Sequence, residues 1–96
     1  MSEAVDIYYA SVCGLCTKAI EFFRSRNVTF TAHAVQWDDA RQEFVDSPTS
    51  RAMHARCGEK VDFVPQIFIG KTHIKGWRKL EPMIISGEID RLVPNA

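Results

Sequence analysis

Apolar residues follow two rhythms along the first third of this chain. Val5-Asp6-Ile7-Tyr8-Tyr9 is a nearly unbroken run of residues that suit pleated backbone, and it reads as a short buried strand. Beyond a loop at Ala10 to Val12 the rhythm changes: within Thr17 to Arg26, Ala19, Ile20, Phe22 and Phe23 recur at helical spacing and predict a helix ending near Arg26. Asn27 tolerates the left-handed turn that closes a helix. From Val28 to Val35 the period falls to two, with Val28, Phe30, Ala32 and Ala34 on one side, and a second strand is predicted. Two successive strands joined by a helix are usually parallel with a right-handed crossover, so this helix is expected on one face of a small sheet.

The pattern is more broken from Gln36 to Lys60. Asp38 is suited to cap a short helical segment through Phe44. Ser47-Pro48 reads as a cap with proline in the first helical position, followed by a helix to about Cys57 that Gly58 closes. Val61-Asp62-Phe63-Val64, Pro65 and Gln66-Ile67-Phe68-Ile69 together predict a third strand, interrupted near its start by a proline that removes a ladder donor. Gly70-Lys71 is a glycine-first hairpin turn, so Thr72-His73-Ile74 should pair antiparallel with that strand before Gly76 ends it. The tail places Leu80, Met83, Ile84, Ile89, Leu92 and Val93 at helical spacing, with Pro82 expected in a first turn and Gly87 as a break between two helical pieces. The expected architecture is α/β: a mixed four-stranded sheet flanked by three main helices in the order β-α-β-α-β-β-α.

Composition narrows the function classes. Ninety-six residues suit one compact domain, residues 1–96, with 46% hydrophobic and 25% charged positions and no formal net charge, so there is no global pull toward nucleic acid or a membrane surface. The start Met1-Ser2-Glu3-Ala4 lacks the basic and apolar stretches of a leader, and no apolar run approaches the roughly 20 residues needed to span a bilayer. A cytoplasmic location is the default expectation. Three cysteines are too few, and odd in number, for a secreted disulfide scaffold.

The chemistry concentrates in Cys13-Gly14-Leu15-Cys16. A strand followed by two-spaced cysteines that open a helix is a redox signature. Unpaired backbone N–H groups and the positive end of the helix dipole favour a thiolate there, which makes Cys13 the candidate nucleophile. Cys16, one turn further in, is placed to attack a mixed disulfide on Cys13 and release the partner. The competing reading is a zinc site in which His54-x-x-Cys57 adds two ligands at one-turn spacing. Zinc knuckles sit in tight turns, whereas this pair starts a helix after a strand, so no zinc is expected. Cys57 reads as a partly buried helix residue, and His33 and His73, both in strands, as structural or solvated. Lys71, Lys75, Arg78 and Lys79 beside Trp77 form one short basic cluster on a neutral chain, which suits an acidic peptide or carboxylate better than nucleic acid. Trp37 fits a core anchor and an exposed contact equally.

With the strand, the two-spaced cysteines, Val64-Pro65-Gln66-Ile67-Phe68-Ile69, Met53-x-x-Arg56-x-Gly58, the glycine after the fourth strand and Ser86-Gly87-Glu88-Ile89 in register, the chain resembles a glutaredoxin over nearly its whole length. The resemblance implies a thioredoxin-like fold with Pro65 cis beside the cysteine pair, and with the backbone of Val64 turned outward to pair with an extended peptide or glutathione. It implies a thiol–disulfide oxidoreductase that cycles Cys13 and Cys16 between dithiol and disulfide, with Leu15, Val64, Pro65, Gly76, Trp77 and Arg78 holding the substrate or glutathione. Disulfide-bearing proteins, ribonucleotide reductase among them, are the implied partners.

Several positions depart from the family pattern. Gly14 and Leu15 stand where many members have proline and tyrosine. Ala10 replaces the usual cation three residues before the nucleophile, Phe63 replaces a threonine, and Lys75-Gly76-Trp77-Arg78-Lys79 carries cations where an acidic pair often holds the γ-glutamyl end of glutathione. The Gly76-Trp77-Arg78 turn is similar to that of glutaredoxin-like redoxins reduced by thioredoxin reductase, so glutathione, thioredoxin reductase or both are the expected electron donors. Gln36 to Asp46 is longer than the family's usual link. The alternative function is carriage of a [2Fe-2S] cluster, in which Cys13 and glutathione from two subunits are the ligands; a monomer is expected otherwise.

Overall fold

The computed structural model describes residues 4–93. The reading of the chain start therefore lies, for Met1 to Glu3, outside the described residues. The elements are β1 (Val5–Tyr9), α1 (Gly14–Ser25), β2 (Thr31–Ala34), β3 (Trp37–Asp38), β4 (Glu43–Phe44), α2 (Pro48–Cys57), β5 (Gln66–Ile69), β6 (Thr72–Lys75), α3 (Trp77–Ser86) and α4 (Ile89–Leu92). The four-stranded sheet has the order β2-β1-β5-β6. β1 runs parallel to β2 and β5 is antiparallel to β6, as the pattern of strands and turns predicted, and the structure adds that β1 is antiparallel to β5.

Alternation along the strands divides the interior into two cores. Val5 and Ile7 of β1, Ile67 and Ile69 of β5 and Ile74 of β6 pack with Ala19 and Phe23 of α1, Leu80 of α3 and Ile89 of α4. Each such side chain contributes on the order of 1.5–3 kcal/mol by leaving water. The other face carries Tyr8 and Phe68, which pack with Val35, Phe44, Val61 and Met53 of α2. Ser47 caps α2 as expected, accepting from the Ser50 N–H at 3.0 Å while its own N–H donates to Ser50 Oγ at 2.9 Å. Asn27 (φ +57°) closes the turn after α1, and Gly58 (φ +80°) closes α2.

Four expectations are corrected. Asp38 to Phe44 is a hairpin, β3 with β4, in place of a short helix. Asp38 Oδ1 does accept from the Ala40 and Arg41 N–H groups, the pattern of a cap. The turn then reverses at Gln42 (φ +54°), so that Trp37 packs edge-on against Phe44 and Phe44 enters the second core. Trp37 is thereby a half-buried anchor of that hairpin. The second strand is shorter than Val28 to Val35: Val28 and Phe30 pack on the first core from a loop, while Ala32 and Ala34 are exposed on an edge strand. The third strand begins only at Gln66, because Pro65 offers no donor and Val61 gives its N–H to His54 Nδ1 at 3.0 Å. Pro82 is the sixth residue of α3 and not in its first turn, because the helix starts directly after Gly76. Beyond the three main helices, α4 is the short piece expected after Gly87.

A polar cluster ties α2 to the sheet. Asp6 accepts from His33 Nε2 at 2.9 Å and from Arg56 Nη1 at 3.1 Å, and the Arg56 guanidinium lies 4.1 Å over the Phe68 ring. Burial by itself would raise the Asp6 pKa, but the bonds from His33 and Arg56 outweigh it and hold the carboxyl below its ordinary value of 3.8. The folded state therefore gains from ionised Asp6 at neutral pH and loses that gain as pH falls through the folded-state value. Asp6→Asn is expected to lower unfolding stability by about 1 kcal/mol at pH 7, the contribution being modest because both partners are partly solvated. The deficit relative to the parent should shrink in urea titrations below about pH 3.8; a deficit independent of pH would show that the charge is not what holds α2.

Candidate active site

The turn after β1 delivers Cys13 to the amino end of α1. The Cys13 N–H donates to the Ala10 carbonyl at 3.2 Å, and Cys13 then stands as the cap of the helix, just outside its first turn. Its Sγ accepts from the Cys16 N–H at 3.2 Å, the task a serine or aspartate oxygen usually performs. A thiolate at that position faces the unpaired N–H groups of the first turn, where α1 carries no acidic residue to oppose it. Cys13 is half-buried, and its Sγ lies 3.6 Å from the Val64 carbonyl oxygen, to which the thiol form donates.

Cys16 is built differently. It is 1% exposed, and burial, reinforced by the hydrogen bond with Cys13, pushes its pKa up to about 12. Two thiols one helical turn apart are thus held in unlike states, one at a helix cap near the surface and one desolvated beneath it. Cys57 lies elsewhere, on α2, with its Sγ 3.7 Å from His73 Nε2 of β6 and its pKa raised by burial. His54 is occupied by Val61, so His54 and Cys57 engage different partners from the Cys13 pair. Among the described residues no three His, Cys, Asp or Glu side chains converge as a metal site.

Beside Cys13 runs a groove of about 560 Å³ in which Leu15, Val64, Gly76, Trp77 and Arg78 meet. Pro65, buried and in a cis peptide with Val64, underlies it. All eight residues that the sequence singled out for the site therefore lie at this one end of the sheet. Phe63, Lys75 and Lys79 line the same groove, and Lys18 of α1 sits 5.8 Å over the Trp77 ring. Lys18 was not anticipated as part of the site. The available signal was its place three residues after Leu15, which puts both on one side of α1. Two features favour glycine at Gly76: its φ of +83° strains any other residue, and an added Cβ would come within 3.3 Å of the Phe63 ring, which would have to shift. At Gly14, by contrast, an added Cβ would meet nothing within 4 Å.

Residues 5–74 match the glutaredoxin family model. The chain belongs to the glutaredoxin family. It is 29% identical over 93 residues to a protein named Probable glutaredoxin from Synechocystis sp., covering 97% of this chain and 96% of that one. The fold is similar to that of glutaredoxin 1 from Francisella tularensis (TM-score 0.66, 22% identity, 92% of this chain and 99% of that one). It is also similar to the dithiolic glutaredoxin 2-C-Grx1 of Trypanosoma brucei brucei (TM-score 0.69, 22% identity, 94% and 86%). A glutaredoxin from buckwheat, solved as a glutathione complex, superposes with a TM-score of 0.68 at 18% identity over 95% of this chain and 76% of that one. The mixed sheet and its helices are thus the thioredoxin-like fold, and this glutaredoxin is a thiol–disulfide oxidoreductase.

The unlike settings of the three thiols give a direct test. Iodoacetamide at pH 7 should label Cys13 of the fully reduced protein first, with Cys16 at least tenfold slower because it is buried and its thiol ionises only near pH 12. Peptide mass after quenching reads the order. Faster labelling of Cys16 or Cys57 would overturn the assignment of Cys13 as the reactive thiol.

Proposed function

We propose that this glutaredoxin reduces disulfides in proteins, and mixed disulfides with glutathione, through Cys13 as nucleophile and Cys16 as resolving thiol. The observation that carries this reading is the cap: Cys13 Sγ receives the Cys16 N–H at the amino end of α1, while Cys16 is sealed beneath it. Cys13 thiolate attacks one sulfur of the substrate, forming a mixed disulfide and releasing the first thiol. Cys16 gives up its proton and attacks the Cys13 sulfur, releasing the second thiol and leaving a Cys13–Cys16 disulfide. Two electrons from an external reductant restore the dithiol. Val64 and Pro65 form the ledge on which an extended partner lies, with Leu15, Gly76, Trp77 and Arg78 as its walls.

Charge argues for the donor. Glutathione carries two carboxylates and one ammonium, and charge-assisted contacts contribute on the order of 1.5–3 kcal/mol each. Here Arg78 and Lys79 stand where the family resemblance puts the ammonium, and Ala10, 7% exposed, offers nothing to a carboxylate. Glutathione is therefore bound more weakly by this chain than by family members that keep those groups, by about tenfold or more at about 1.4 kcal/mol per decade. An acidic, extended protein is favoured instead, and a thioredoxin reductase supplies electrons at least as well as glutathione does. The alternative of a [2Fe-2S] carrier would use Cys13 as this chain's ligand, with glutathione and a second copy supplying the others, so the weak glutathione site inferred here argues against it.

Two experiments test this reading. Cys16→Ser should accumulate mixed disulfides on Cys13 by mass spectrometry, and equal trapping by Cys13→Ser would reverse the roles. Paired assays on one disulfide substrate, NADPH with glutathione and glutathione reductase against NADPH with thioredoxin reductase, should favour the second, and Arg78→Asp should raise the first rate several-fold. Strong glutathione turnover that Arg78→Asp leaves untouched, with no thioredoxin reductase activity, would overturn the charge assignment.

A further inference from the structure

Gln66 follows Pro65 in the chain, and although polar it is 0% exposed. Its side-chain Nε2 donates to the Phe63 carbonyl at 2.9 Å, and its Oε1 lies 2.7 Å from His73 Nε2 on β6. The chain of bonds has one direction. A carbonyl only accepts, so the amide nitrogen must face Phe63, the amide oxygen must face β6, and His73 must carry its proton on Nε2. The His73 ring is held in that orientation by stacking on Phe68, with centroids 4.4 Å apart and planes 10° from parallel. The register explains the meeting: Gln66 lies opposite Lys75 and Phe68 opposite His73, so Gln66, Phe68 and His73 share one sheet face.

Apart from the packing of Val64 against the second core, the segment this chain of bonds reaches has few other ties. Phe63 and Val64 belong to no strand, and the sheet ladder begins only at Gln66. The Val64 carbonyl meets Cys13 Sγ at 3.6 Å, a weak contact that disulfide exchange itself would break. We propose that Gln66 and His73 are positioning residues for the groove: the path from His73 Nε2–H through the Gln66 amide to the Phe63 carbonyl holds Phe63–Val64 in the place where an extended disulfide partner is laid. Neither residue touches the reacting sulfurs. Losing the His73 donor leaves a buried amide oxygen unpaired, so the amide turns and Phe63 is released. The proposal rests on the reading of this groove as the partner site.

The test uses the full chain with insulin as the disulfide-bearing protein and dithiothreitol as reductant. His73→Phe keeps a ring to stack on Phe68 and deletes the donor together with its 3.7 Å contact to Cys57 Sγ, whereas His73→Gln places an amide N–H near the position of Nε2. His73→Phe should raise KM for insulin roughly five- to tenfold, about the effect of one lost hydrogen bond, with kcat and the rate of Cys13 alkylation within about twofold. His73→Gln should recover most of the KM. An unchanged KM in His73→Phe, or an equal rise in His73→Gln, would overturn the proposal. An independent readout on the unaltered protein is nitrogen NMR of His73 at neutral pH: the Nε2–H tautomer is required, and the Nδ1–H tautomer would refute the path of bonds. Insulin reduction that survives Cys13→Ser would instead overturn the reading of the groove, which the tautomer measurement leaves untouched.

Discussion

The antiparallel pairing of β1 with β5 is the constraint on which the site depends. Its register sets Tyr8 opposite Gln66, so the carboxyl end of β1 and the amino end of β5 come to one edge. The chain leaving β1 reaches Cys13 there, and the chain entering β5 passes through Val64 and Pro65. Because Gln66 also pairs with Lys75, the chain leaving β6 emerges at that edge and supplies Gly76, Trp77 and Arg78. Three segments far apart in sequence thus converge without any long loop having to find its place. The pairing is held by the apolar face beneath it, where Val5, Ile7, Ile67, Ile69 and Ile74 are buried against α1, α3 and α4. Strand edges are rigid relative to loops, so a site built where three strand ends meet inherits the precision of the sheet.

Chemistry follows from an asymmetry of burial across four residues. A helix presents residues three apart on the same side, one turn above the other. At the start of α1 this puts Cys13 at the cap and Cys16 in the core, where desolvation keeps the deeper thiol protonated. The backbone N–H of Cys16 points to Cys13 Sγ, so the residue that would resolve a mixed disulfide also helps to hold the sulfur that forms it. The groove beside them is apolar along Leu15, Phe63, Val64 and Trp77 and cationic along Lys75, Arg78 and Lys79. Lys18 over Trp77 adds a further cation from α1. On the proposed reading, that combination favours extended chains with acidic flanks through field and contact together.

The opposite face of the sheet carries polar residues without leaving them unsatisfied. Asp6 accepts from both His33 and Arg56, and Tyr8 stacks on His33 while Phe68 stacks on His73. Among the described residues no buried side-chain nitrogen or oxygen lacks a partner. Polar groups under a helix are costly when unpaired and directional when paired, so this face fixes how α2 lies as well as that it packs. The β3–β4 hairpin extends the same layer through Phe44, which accounts for the additional length between β2 and α2.

Much of this was determined locally. The first strand, the capped helix after Ser47, the left-handed turns at Asn27 and Gly58, the hairpin at Gly70-Lys71 and the two-spaced cysteines at a helix start each depend on a few neighbouring residues, and each was legible in sequence. What was misread was local signal with more than one continuation. Asp38 caps a turn in either case, and only the burial of Phe44 in the second core makes that turn a hairpin; Pro82 is compatible with a helix, and only the place where β6 ends decides in which turn it falls. The same division runs through the site. The sequence named Cys13, Cys16, Val64 and Pro65, but the depth that separates the two thiols, the cation that Lys18 adds, and the path from His73 through Gln66 to Phe63 arise from strand register and layer packing. Those are relations between residues distant in the chain, and only the folded sheet brings them within reach of one another.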